Sequence, residues 1–262
     1  MTNSACKLPA FVLTFDGSHP QRHESVRQQM LAFEPAIEWQ FVHGFAADDS
    51  RIEDLYDDAL NRRYSKRPMG RGEIAAYAGH RRMMQRFIET GHDYGLFVED
   101  DFGWRGTAAQ WHHLIGNVDT VMAGKDMLKL FDFGPPKSGC VARAECGPIE
   151  TVKPLSVGAG VVGYILGRDG AKKILSRKRV FRQIDEDIKY YWELGLEIWT
   201  VRPQMIAEIS AGLGGSYLEK ERALIKRRHR NLATSLKGNL LALRKKVLNR
   251  HHRSKGNAGP RS

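Results

Sequence analysis

Tyr94-Gly-Leu-Phe-Val-Glu-Asp-Asp101 is the stretch from which the rest of the chain is read. A short β-prone run, Gly95 to Val98, ends in three adjacent carboxylates, as expected where a buried strand of an α/β sheet delivers acids to the rim of a crevice. In an extended backbone alternate side chains share a face, so Glu99 and Asp101 are expected on one side and Asp100 on the other. Two hard oxygen ligands on one side suit Mg²⁺ or Mn²⁺, ions usually held by one or two carboxylates plus the phosphates of a substrate. A solvated acidic turn is the plain alternative.

Upstream, Ala10-Phe-Val-Leu-Thr-Phe15 predicts a strand running into Asp-Gly-Ser-His-Pro, a turn and helix cap, followed by a helix with Val26, Met30 and Phe33 at helical spacing. Trp39 to Phe45 predicts the next strand. A first strand and loop of this kind often bind a nucleotide, and Arg22 and His23 are placed for a pyrophosphate or base, although a solvated helix face explains them equally. Residues 48 to 67 are rich in charge and predict a surface helix or loop. Met69-Gly-Arg-Gly-Glu73 then opens a helix reaching about Glu89, on which Glu73, Tyr77, His80 and Met84 fall on one stripe. An ionisable pair on the apolar stripe marks Glu73 and His80 as candidates for the site; a hydrogen-bonded core histidine is the alternative.

Downstream, Trp104 to Ala123 predicts helix and Met127 to Phe131 strand. Lys137 to Pro154 reads as an ordered loop over the crevice. Val157 to Leu166 is a glycine-rich strand region, and a short helix to Leu175 follows with Asp169 as its cap. Gln183-Ile-Asp-Glu-Asp-Ile188 is a second acidic cluster at a helix start, favourable with the helix dipole yet equally open to a catalytic role. The two clusters together match the divided labour of a metal site and a general base.

The 262 residues allow one domain with an appendage, and the charge is unevenly spread. Residues 1–219 hold 27 Lys/Arg against 29 Asp/Glu, net −2, whereas residues 220–262 hold 14 Lys/Arg and one acid, net +13. The basic balance therefore describes an attachment surface and disfavours nucleic acid as the body's ligand. Within the tail, Ile225, Leu232, Leu236, Leu240, Leu243 and Val247 recur every three or four residues, predicting a basic amphipathic helix, interrupted at Gly238, that lies on anionic lipid. Cys6, Cys140 and Cys146 lack zinc-site spacing, and the first residues lack a signal segment. A cytoplasmic protein held peripherally at the inner membrane face is expected.

Gly72-Glu-Ile-Ala-Ala-Tyr-Ala-Gly-His80, continued by Tyr94 to Asp101, resembles the "GEIGCALSH … ALILEDD" signature of glycosyltransferase family 25, the lipooligosaccharide galactosyltransferase family. Val162 to Leu175 is similar to its "AYLISRRGAKKLL", Ile184 to Ile188 to its "PIDDFL", and Val12 to His23 to its opening "INLDRSPERR". Thr14, Gly79 and Gln183 depart from the family pattern. The resemblance implies a GT-A-like α/β fold with a mixed central sheet, a UDP-sugar donor, a divalent metal and transfer with inversion. The resemblance runs from about residue 10 to 210, and the charge distribution independently divides the chain into a domain over 1–219 and the basic helical tail over 220–262.

On that resemblance Glu99 and Asp101 are the expected metal ligands, with Thr14, Arg22 and Asp100 contacting the donor. Asp185 or Asp187 is the expected base, and Glu73 and His80 position donor or acceptor. No histidine lies between His113 and His229, so His80, water or donor oxygens would complete the metal shell. The expected reaction moves a hexose, galactose first, from UDP to a lipooligosaccharide or other surface glycan. UDP-glucose or a UDP-N-acetylhexosamine is the alternative donor. A catalytically idle lipid-surface module is the alternative from another class.

Overall fold

The computed structural model describes residues 8–33, 36–134, 139–229 and 231–255, so Cys6 lies outside the described residues. β1 (Leu8–Thr14) leads through α1 (Pro20–Leu31) to β2 (Ile37–His43). A 3₁₀ turn (Ser50–Leu55) and α2 (Asp58–Tyr64) precede the long α3 (Arg71–Thr90), which feeds β3 (Tyr94–Glu99). β4 (Phe102–Trp104), α4 (Ala108–Gly116), α5 (Val118–Met122) and β5 (Met127–Lys129) follow. Then come β6 (Cys140–Cys146), β7 (Ile149–Pro154), β8 (Gly163–Gly167), α6 (Arg168–Leu175) and α7 (Ile184–Asp187) with its 3₁₀ extension to Glu193. β9 (Ile198–Arg202), β10 (Ile206–Glu208), α8 (Glu219–Arg228) and α9 (Leu232–Lys255) complete the described chain.

Eight strands form one mixed sheet in the order β2-β1-β3-β8-β5-β9-β7-β6. β1 pairs in parallel with both β2 and β3. The chain therefore leaves β1 in one direction through α1 and returns on its other side through α3. This order opens a crevice beyond the carboxyl ends of β1 and β3, the place where open α/β sheets bind ligands. β8 runs antiparallel to β3, with Gly163 opposite Val98 at the crevice end.

Strand alternation divides the core. Ala10, Val12, Leu96 and Val98 face one layer with Val26, Met30, Trp111 and Leu114, while Phe11 and Phe97 face the other with Tyr77, Met83, Phe87 and Ile174. On this second face the rings of Phe11 and Phe97 stack at 5.3 Å, and those of Phe97 and Tyr164 at 5.2 Å. The ladder ends against His80, whose ring centre is 5.9 Å from that of Tyr164. Core packing thus delivers the α3 histidine to the end of β3.

The long helix and the predicted strands are present, but Trp104 closes β4 instead of opening a helix, only Gly163 onward of the glycine-rich region is strand, and three further differences matter more. Residues 140–154 form the β6–β7 hairpin at the far sheet edge, not a loop over the crevice; Val141, Thr151 and Val152 suit strands, and Gly147 at φ +58° makes the turn. Lys137 and Ser138 lie outside the described residues. Asp169 sits inside the first turn of α6, whose N-cap is Gly167 with no side-chain cap. The tail breaks between α8 and α9 rather than at Gly238, which lies within α9, where an added Cβ would come 2.8 Å from Lys66 Cδ.

The tail is docked on the body through one face of α9. Lys245 meets Glu186, the rings of Trp192 and His252 stack at 5.3 Å, and the Arg253 guanidinium lies 4.1 Å from the Tyr191 ring centre. The opposite face carries the predicted apolar stripe, with Leu232 90% and Leu236 74% exposed. Among the described residues, no helix is long and apolar enough to cross a membrane.

At the start of β8, a Cβ added to Gly163 would fall 2.2 Å from Ile206 Cδ1, so β10 closes over this strand only because no side chain intervenes. Gly163→Val should lower stability by on the order of 2 kcal/mol through overpacking, read as a shifted denaturant midpoint with an unchanged m-value.

Candidate functional site

The crevice is built around Asp100. Its Oδ2 accepts from Thr14 Oγ1 at 3.1 Å and Ser18 Oγ at 2.5 Å, and its Oδ1 from Arg22 Nη1 at 2.6 Å. Thr14 in turn accepts from His23 at 2.6 Å if the ring carries its proton on Nε2. Arg22, only 3% exposed, also donates to the carbonyls of Gly215 at 2.7 Å and Leu213 at 3.4 Å. Thr14, Arg22 and Asp100 are therefore brought together, but chiefly bonded to one another. They fix the loop after β1 and pin the segment that leads into the tail.

Glu99 and Asp101 line the same cavity, of about 520 Å³, and Asp100 lines it too. Asp100 does not point away as alternation predicts, because β3 ends at Glu99 and the next two residues form a turn. Asp101 is 8% exposed; its Oδ2 lies 3.3 Å from Arg22 Nη1, and its Oδ1 is buried with no hydrogen-bond partner among the described residues. Burial and neighbouring Glu99 push the Asp101 carboxyl up to about 7, against the pull of Arg22.

Glu99 is oriented from behind. His80 Nε2 is 3.1 Å from Glu99 Oε1, and His80 Nδ1 is 2.9 Å from the Tyr164 hydroxyl. With Tyr164 donating to Nδ1, the proton resides on Nε2 and points at the carboxylate. His80 is fully buried, so it acts on the cavity only through Glu99. Tyr164 was not singled out by sequence; its signal is the register that sets it opposite Phe97.

Glu73 shares the buried stripe but is engaged on all sides. It accepts from both Arg67 terminal nitrogens at 2.7 and 2.8 Å, from Arg222 Nε at 2.9 Å, from the Gly70 N–H at 3.0 Å and from Gln183 at 3.1 Å. Burial pushes this carboxyl up, but the bonds from Arg67 and Gly70 outweigh it and hold it at about 2. On the crevice side of the same turn, Glu221 accepts from the Arg71 N–H at 2.8 Å and the Gly72 N–H at 3.1 Å. Tyr217 closes the cavity roof: its hydroxyl accepts from the His19 N–H at 2.7 Å, and its ring lies 4.4 Å from the Arg22 guanidinium.

The second acidic cluster separates its two candidates. Asp187 is 1% exposed and held by Arg177 at 2.9 Å, Arg182 at 3.1 Å and the Tyr77 hydroxyl at 2.8 Å. Burial raises its carboxyl against these cations. Asp185 instead opens into a second cavity of about 650 Å³ between body and tail. Glu73 and Arg222 line this cavity while Gly72 and Glu221 line the first, so the two adjoin across the first turn of α3.

Residues 9–108 match the family model for glycosyltransferase family 25 (LPS biosynthesis protein). The resemblance holds over that segment. It covers β1 through β4, including the α3 stripe and all three crevice carboxylates, and stops short of β8 and the Asp185 cluster. Among curated proteins nothing matches. Among solved structures, the crystal structure of A197 from STIV is similar over 74% of this chain and 81% of that chain, with 14% identity and a TM-score of 0.35, a likeness that carries no argument.

Family 25 raises the question of a metal. Among the described residues, no group of three or more His, Cys, Asp or Glu side chains could hold one. The orphaned Asp101 oxygen beside Glu99 nonetheless fits two ligands of an oxygen shell whose remaining places come from a substrate and water. His80 is directed at Glu99 and belongs behind this pair rather than in the shell.

The raised Asp101 carboxyl has a sign that distinguishes it from ordinary acids. Between its usual value of 3.8 and about 7 the folded chain holds a proton that the unfolded chain releases. Its contribution therefore favours folding most below pH 4 and is lost as pH rises to 7, by about 4 kcal/mol at 1.36 kcal/mol per unit. Asp101→Asn should remove that slope, seen as a flatter pH profile of the metal-free protein's unfolding free energy.

Proposed function

We propose that the chain is a metal-dependent glycosyltransferase that moves a hexose, galactose first, from a UDP-sugar to a surface-glycan acceptor with inversion. The observation that carries this is the Asp101 oxygen, buried without a hydrogen-bond partner among the described residues, next to Glu99 at the β1–β3 switch point and within the segment matching a glycosyltransferase family. The donor occupies the crevice. There Thr14, Ser18 and Arg22 keep the β1 loop rigid through Asp100, and Tyr217 shields the site from water.

Glu99 and Asp101 would hold a divalent cation, Mn²⁺ or Mg²⁺, which would supply Lewis-acid stabilisation of the departing diphosphate. His80, fixed by Tyr164, holds Glu99 in orientation. The acceptor hydroxyl oxygen forms the new bond to the anomeric carbon as the carbon–oxygen bond to UDP breaks, and its proton passes to Asp185. Asp185 is favoured over Asp187 because its carboxylate opens into a cavity, whereas that of Asp187 is consumed by two arginines and a tyrosine. Glu73 positions the turn between the cavities and takes no proton.

UDP release from a panel of UDP-sugars with and without Mn²⁺ tests the reaction. Asp101→Asn should cut turnover at least 100-fold and raise the Mn²⁺ requirement, and Asp185→Asn should cut kcat as strongly with little change in melting temperature. Asp187→Asn should instead lower the melting temperature first. No release from any donor by the intact, folded chain would overturn the proposal.

We further propose that the tail holds the enzyme peripherally on anionic lipid. The support is the pairing of an exposed stripe, Leu232, Leu236, Leu240, Leu243 and Val247, with the net +13 of residues 220–262. Leu236→Ser/Leu240→Ser leaves the charge and the docked face of α9 untouched. It should weaken binding to anionic vesicles about tenfold or more in sedimentation assays, and salt should weaken binding of the unaltered chain by screening.

A further inference from the structure

The 650 Å³ cavity adjoining the crevice has a charge pattern that the proposed transfer does not itself require. Its carboxylates and cations are mostly matched. Glu73 is taken by Arg67 and Arg222, and Glu186 by Lys245 and by Lys189 at 2.6 Å. Arg182, also in the lining, is taken by Asp187 at 3.1 Å and Glu193 at 2.8 Å. Besides His229, three lining residues that carry charge stand apart. Asp185 has no hydrogen bond or ion pair among the described residues, and neither Lys66 nor Lys226 lies within ion-pair distance of a described carboxylate.

We infer that this cavity binds an acidic sugar, one bearing a phosphate or carboxylate, with the anionic group at Lys66 and Lys226 and a hydroxyl directed to Asp185. Lys66 comes from the α2–α3 connection and Lys226 from α8, and the lining as a whole holds six lysines and arginines against three carboxylates, a balance that favours an anion over a neutral glycan. Tyr64 lines the same cavity. Lys226 and the wall formed by Thr234, Ser235 and Leu241 come from the tail. Acceptor choice is thus built in part from residues outside the segment 9–108 that matches the family model, Asp185 and Lys226 among them.

The inference rests on the glycosyl-transfer reading for its word acceptor, but its binding test does not. Isothermal titration of the full chain with glucose 6-phosphate, glucuronate, glucose and inorganic phosphate, with UDP saturating, reads the cavity directly. At least one of the two acidic sugars should bind ten or more times tighter than glucose and tighter than inorganic phosphate; which one does names the anion. Lys66→Gln/Lys226→Gln should reduce that affinity about tenfold with an unchanged melting temperature and unchanged UDP affinity. Arg227→Gln/Lys246→Gln, which removes equal charge outside the cavity, should change nothing.

In turnover, the cavity pair should raise KM for an acidic acceptor about tenfold while leaving kcat near its original value. Equal affinity for glucose and both acidic sugars overturns the inference, as does binding that ignores the Lys66/Lys226 pair or inorganic phosphate that binds as tightly as the sugar. Absence of UDP release would count against the transfer reading alone, because the titration reports the ligand without chemistry.

Discussion

One buried ion pair holds the site together: the Arg22 guanidinium against Asp100 at 2.6 Å, with each partner fully supplied by other bonds. Buried charges are tolerated only when paired and hydrogen-bonded, and removing one partner strands the other. This constraint joins three parts of the chain that sequence separates widely. Asp100 lies in the turn after β3, Arg22 in the first turn of α1, and the carbonyls of Leu213 and Gly215 begin the path into the tail. The rigid β1 loop, the crevice wall and the position of Tyr217 all follow from that junction.

Three consecutive carboxylates have three environments because the strand ends beneath them. Glu99 is the last strand residue and is oriented by His80; Asp100 turns inward and is saturated by three donors; Asp101 is buried beside Glu99 with one oxygen unfilled. Acids spent on internal bonds and acids left open to the cavity thus lie side by side, distinguished by their hydrogen bonds and not by their type. The same division separates Asp187, locked among Arg177, Arg182 and Tyr77, from Asp185, which faces a cavity.

The tail uses both faces of its helix. Lys245, Asn249 and Arg253 turn toward the body, where Glu186, Ser156 and Tyr191 receive them, and the leucine stripe faces outward. A helix that both walls a cavity and exposes apolar area couples the proposed acceptor site to the proposed lipid surface. A glycan reaching that cavity would approach from the side on which its lipid anchor is held.

What the sequence determined by itself was local and periodic. The apolar runs ending at Thr14 and Glu99, the stripe of Glu73, Tyr77, His80 and Met84 on α3, and the spacing of the exposed leucines are set by backbone geometry that repeats every two or 3.6 residues. Tertiary structure alone decided which of those acids are spent on folding. Glu73 looked like a site residue because it lay on an apolar face, yet the groups that consume it, Arg67, Gln183 and Arg222, arrive from three other segments. The hairpin at residues 140–154 went to the far edge because strand pairing with β9, a contact fifty residues away, fixed its place. Periodicity reports which face of an element is buried; the partner that meets that face depends on long-range packing, which no local pattern encodes.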